Sequence, residues 1–218
     1  MRLQNAEKME IADNILKAKL SNVCFILGSG KTTAANALAR IYGGVVYRTD
    51  ERARYAELAV SKYQPALCRD VPEYFALEAE DARRWEADIV REMTPMIIAD
   101  LIGISSDSFI WCEGDIDIGA VMRVATHAVY VVSRASTFDF FKRPDQIRML
   151  ENIKNSEISE EEKLRCIENA YKIVGDGSER SVPREIDEFG IKKIYRYDHS
   201  TPDSVANEIY EYVTRLKI

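Results

Sequence analysis

Histidine is nearly absent from this chain and cysteine is sparse, and together the two scarcities remove several chemistries. Among 218 residues there are two histidines, His127 and His199, and four cysteines, Cys24, Cys68, Cys112 and Cys166. No two cysteines are spaced as C-x-x-C, and no histidine lies near enough to complete a zinc pattern. Neither histidine sits beside the partners of a catalytic triad. Cys24 and Cys112 fall in apolar runs read as buried strands, where cysteine behaves as a small apolar residue. A reduced, cytoplasmic protein is the expectation.

Long apolar runs are missing as well. The first twenty residues, "MRLQNAEKMEIADNILKAKL", carry charges throughout, which fits neither a signal peptide nor a membrane span. There is no cationic excess either: 30 Lys and Arg stand against 36 Asp and Glu, for a formal charge of -6. Nucleic-acid binders normally carry a basic face, so neither a nucleic acid nor a membrane is an expected partner. No repeat or low-complexity segment breaks the composition. At 46% hydrophobic and 30% charged residues, the chain can build a core of ordinary size.

What is present alternates. "NVCFIL" (22–27), "VVYRTD" (45–50), "SFIWCEG" (108–114), "HAVYVVS" (127–133) and "IKKIYRYD" (191–198) read as strands. Helical patterns stand between them, so the sheet should be parallel and the fold a doubly wound α/β domain. Residues 4–20 place Ala6, Met9, Ile11, Ile15, Leu16 and Leu20 at spacings near three and four, an amphipathic helix ahead of the first strand. Ser159 and Thr201 are expected helix caps, and Pro95 should kink a long helix or divide it in two.

The first strand runs into "GSGKTT", residues 28–33, which opens a helix. Phosphate-binding loops have the spacing G-x-x-x-x-G-K-S/T. Here only Ser29 separates Gly28 from Gly30, about three residues short of that pattern. Ligands of a parallel sheet collect beyond the carboxyl ends of its strands, where amides at a helix start favour phosphate. Lys31 could then reach the β- and γ-phosphates and the Thr32 hydroxyl a Mg²⁺ ion, with Gly28, Ser29, Gly30 and Thr33 completing the cradle. A plain tight turn is the competing account, as is a loop from which residues are missing in the sequence as written.

With these residues in view the chain resembles the P-loop kinases of small molecules and nucleotides: the nucleoside monophosphate kinase, shikimate kinase and chloramphenicol phosphotransferase group. The resemblance covers roughly residues 22–216 as element order and rests on "GSGKTT" at 28–33, "TDE" at 49–51, "CEG" at 112–114 and an arginine-bearing segment after "VVS". It implies five parallel strands in the order 2-3-1-4-5, forming a P-loop kinase domain over residues 21–218 behind the helix at 1–20. Within that domain a helical substrate region would occupy 51–103, and a lid with its following helices about 134–185.

Residue by residue, the resemblance implies that Asp50 engages Mg²⁺ or the acceptor hydroxyl, although Asp50 could equally cap the helix after it. Glu113, followed by Gly114, would support the metal. Arg134, Arg143 and Arg148 would occupy the lid position as cations, with Arg180 and Arg184 competing for the same role. Arg52, Arg54, Arg83, Arg84 and Arg91 are substrate-side candidates, though a solvated, salt-bridged helix accounts for most of them. Trp85 and Tyr55 could stack on a ring or simply fill a core. The implied activity is ATP- and Mg²⁺-dependent phosphoryl transfer to a small-molecule hydroxyl or nucleotide phosphate. The alternative is a nucleotide-binding or regulatory module without turnover.

Overall fold

The apolar run at 22–27 becomes β1 (Val23–Gly28), and Val23 to Leu27 are all buried. Its companions are β2 (Val45–Arg48), β3 (Ile110–Glu113), β4 (His127–Ser133) and β5 (Lys192–Arg196). In the computed structural model, which describes residues 5–50, 52–69, 77–104, 107–134, 144–175 and 182–215, these strands form one parallel sheet. Its order is β2-β3-β1-β4-β5, a doubly wound α/β arrangement with helices around it. Phe25 stands opposite Cys112 on β3 and Ala128 on β4, so β1 is paired on both edges.

One face of the sheet presents Cys24, Ile26, Trp111, Val129, Val131 and Ile194. Against it pack α2 (Lys31–Tyr42), through Ala34, Ala35 and Leu38, and α9 (Pro202–Arg215), through Val205, Ile209 and Val213. Alanines on α2 let that helix lie close to the strands. The alternate side chains, Val23, Phe25, Leu27, Ile110 and Cys112, are also buried, as expected for a sheet covered on both faces.

The helix expected at 4–20 is α1 (Asn5–Lys19). Its apolar spacing set the helix but not the amount of cover. Leu20 just beyond it is buried and Leu16 half-buried, whereas Met9 and Ile15 are more than half exposed. An ion pair of Asp13 with Arg123 ties it to α5 (Ile118–Val124).

The chain divides into two compact units: residues 1–55, 93–135 and 182–218 around the sheet, and residues 56–92 with 136–181. The boundaries fall inside two helices, α3 (Arg52–Leu58) and α4 (Ala79–Gly103). Pro95 neither ends nor divides α4. It lies on the exposed side, where water can bond the carbonyl that loses its helical donor. Buried Ala82, Trp85, Ile89, Met93, Ile97 and Leu101 mark the opposite stripe at spacings of three and four.

In the second unit the Trp85 indole donates to the carbonyl of Ala66 at 2.9 Å. The Glu92 carboxylate accepts the amides of Ala66 and Leu67. Trp85 is thus a core residue holding a turn, not a stacking platform. The unit's other helices, α6 (Pro144–Lys154) and α7 (Glu160–Gly175), meet through Ile153, Cys166 and Ala170.

Both expected caps are in place. Ser159 and Glu162 exchange bonds reciprocally at the start of α7, which holds the Glu162 carboxyl below its usual range. Thr201 Oγ1 accepts the amide of Ser204 at 3.1 Å, and Pro202 takes the first position of α9. Replacing Thr201 by alanine is expected to cost about 1 kcal/mol, read as a lowered denaturation midpoint with an unchanged denaturant slope.

Candidate functional site

Between β1 and α2 the chain spends only two residues, Ser29 and Gly30. The Ser29 amide donates to the carbonyl of Val131 at 2.9 Å, so the turn is stitched to the end of β4 and that amide is consumed. Gly30 is the cap of α2 at φ +78°, a left-handed conformation that glycine adopts without penalty. No side chain caps the helix, whose first amides have no acceptor within the helix itself.

Lys31 and Thr32 open α2 toward the exit of β3, and there two contacts form. Thr32 Oγ1 donates to Glu113 Oε2 at 2.9 Å, and Lys31 Nζ pairs with Asp115 Oδ1 at 3.2 Å. Glu113 is buried, with 1% of its surface exposed, and the more exposed Arg48 stands 3.6 Å from its other oxygen. Burial is the largest influence on this carboxyl and raises its pKa; Asp50 adds to that, while Thr32, Lys31 and Arg48 pull the other way.

Gly114 then lets the chain turn at φ +132°. A Cβ there would sit 2.0 Å from Thr49 Oγ1 and 2.7 Å from Asp50 Oδ1. This closeness lets Thr49 donate from its hydroxyl to the carbonyl of Asp115, while the Asp115 amide approaches Asp50 Oδ1 at 3.4 Å. Asp50 itself is exposed.

The fold therefore assembles Lys31, Thr32, Asp50 and Glu113 at the carboxyl edge of β1, β2 and β3. Three neighbours escaped the sequence reading: Asp115 as the partner of Lys31, Arg48 beside Glu113, and Arg196, whose guanidinium lies over Gly30. Asp115 had a signal, since it stands two residues beyond Glu113 at a strand exit.

The other arginines take various places. Arg134 is exposed and follows β4, its amide bonded to the carbonyl of Arg196 and its guanidinium 5.8 Å from the Tyr195 ring centre. Arg143 and Arg180 lie outside the described residues, as does the side chain of Arg52. Arg54 pairs with Asp100, which also accepts from the Tyr47 hydroxyl, while that hydroxyl touches buried Tyr55. Arg84 and Arg91 pair with acids one turn away on the solvated face of α4, and Arg184 pairs with Glu188 in the short helix α8 (Arg184–Glu188).

Among the described residues no three His, Cys, Asp or Glu side chains stand close enough to hold a metal ion by themselves. Magnesium commonly keeps several waters and phosphate oxygens and takes only one or two protein ligands. Thr32 with Glu113 meets that smaller requirement. None of the described helices is long and apolar enough to cross a membrane. No family model, curated protein or solved structure matches this chain.

Proposed function

We propose that the chain is a phosphotransferase that uses ATP and Mg²⁺ and acts on a small-molecule hydroxyl or a nucleotide phosphate. The observation that carries this reading is the convergence of Lys31 and Thr32, at an uncapped helix start, on a buried carboxylate at the next strand's exit. The first amides of α2 and the Lys31 ammonium would hold the phosphate tail, Lys31 exchanging Asp115 for a phosphate oxygen. Thr32, Asp50 and Glu113 would hold Mg²⁺, the Thr32 hydroxyl turned by its bond to Glu113. Magnesium bound there would neutralise charge on the transferring phosphoryl group. Exposed Asp50 would alternatively orient or deprotonate an acceptor hydroxyl, and Arg134, just past the end of β4, would serve as a lid cation. Such chemistry needs positioning and charge, and no covalent nucleophile.

A second reading, nucleotide binding without turnover, is favoured by the two-residue turn and by the Ser29 amide already bonded to Val131. Fewer amides are then left to wrap a β-phosphate.

Thermal unfolding with and without ATP and Mg²⁺ tests binding. At a hundredfold excess over the dissociation constant, the melting temperature should rise by roughly 5 to 10 °C. A screen of ATP consumption over nucleosides, nucleotides, polyols, sugars and antibiotics then separates enzyme from binder. No shift with ATP would remove both readings.

A further inference from the structure

Beyond Lys31 and Thr32, the carboxyl edge of the sheet holds two polar groups with no role in the arrangement above. Ser133 ends β4, and its hydroxyl oxygen is buried without a hydrogen-bond partner. Arg196 ends β5 directly across from Ser133 in the parallel register. Val131 and Ile194, two residues earlier on each strand, pack on the face that carries α2 and α9. Side chains two apart on a strand share a face, so Ser133 and Arg196 stand side by side on that face. There the Arg196 guanidinium reaches the β1–α2 turn: Nη1 lies 2.8 Å from where a Cβ on Gly30 would be. Among the described residues no carboxylate pairs with it.

Left alone, these groups are electrostatically mismatched. The start of α2 carries the positive end of the helix dipole, and an arginine against it adds a second positive charge. The buried hydroxyl beside them lacks an acceptor or donor, which is also unfavourable. One kind of ligand would satisfy all three, a tetrahedral oxyanion. The planar guanidinium suits two of its oxygens, and the hydroxyl and helix amides suit the others.

We propose that Arg196, Ser133 and the first amides of α2 form a phosphate seat, which takes the terminal phosphate of a polyphosphate and replaces the wall that the short turn lacks. The seat rests on the reading of the α2 start as a nucleotide site. It explains how a turn about three residues shorter than a standard loop can hold such a ligand: the wrapping comes from β4 and β5 rather than from the loop.

Calorimetric titration of the full chain with inorganic tripolyphosphate tests this without a base or a metal. Arg196→Gln is expected to weaken binding roughly 10- to 100-fold, and Arg196→Lys to restore part of it. Ser133→Ala should act with opposite signs, raising the ligand-free melting temperature while lowering affinity. That pairing is one a merely structural serine would not give. Ligand-free melting curves establish that each variant is folded; should Arg196→Gln fail to fold, Arg196→Lys and Ser133→Ala carry the same test. If Arg196 and Ser133 variants bind as the parent does while Lys31→Ala does not, the seat is wrong and the α2 site survives. If the parent chain binds neither tripolyphosphate nor ATP, the nucleotide reading fails and takes the seat with it.

Discussion

Lys31→Ala should abolish the ATP-dependent rise in melting temperature and lower any turnover by about 100- to 1000-fold, with the fold left intact. The size follows from removing one preorganised cation from a transferring phosphoryl group, comparable to deleting an oxyanion donor. The intact fold follows from the partner that Lys31 has now. Asp115, 3.2 Å away, is 65% exposed, and ion pairs at such surfaces contribute about 1 kcal/mol or less. Loss of function and loss of structure therefore separate cleanly at this residue. A variant that kept its ATP shift would place the phosphate tail elsewhere. Melting curves with and without nucleotide, run beside a turnover assay, are enough to decide.

Much of this architecture was legible because the signals were local. The unbroken apolar run at 22–27 reads as a buried strand, and β1 is buried from Val23 to Leu27. Thr201 and Ser159 cap because their hydroxyls need only reach three residues along the chain. Strand order was a different matter, drawn from a family resemblance rather than from any residue, yet the sheet has that order.

What failed was long-range. Met9 shares a face of α1 with half-buried Leu16, seven residues on, and is nonetheless exposed, because periodicity shows which residues share a face and not what lies against it. Ile15, six residues from Met9, lies off that face and is exposed too. Of the two outcomes expected at Pro95, division is excluded: the long helix runs through that residue on its outward side, a fact set by the stripe of buried residues from Ala82 to Leu101. The site divides the same way. Lys31 and Thr32 announce themselves by their neighbours in sequence. Arg196 and Ser133 meet only through the register of β4 with β5, across an intervening stretch of more than sixty residues that no local pattern spans. Arg48 reaches Glu113 for a similar reason, the register of β2 with β3.

Glu113→Gln should do two opposite things, lowering turnover about 100-fold or more while raising stability at alkaline pH. A buried carboxyl whose pKa is raised in the folded chain binds protons more tightly there than in the unfolded one. Its contribution to stability is full below the unfolded value of 4.5 and is lost as pH climbs through the raised folded value. Glutamine keeps an oxygen to accept from Thr32 and carries no charge to bury, so its stability should not fall over that window. Losing the pair with Arg48 matters little, since that side chain is 54% exposed and 3.6 Å away. The melting temperature of the variant should thus exceed that of the parent at pH 8 and converge on it near pH 4. Were the variant the less stable at pH 8, the charges of Lys31 and Arg48 would outweigh the cost of burial, and Glu113 would be a structural anchor. The expected sign instead makes Glu113 a residue held at a cost to stability, which is the usual signature of a carboxylate kept for a charge that comes and goes.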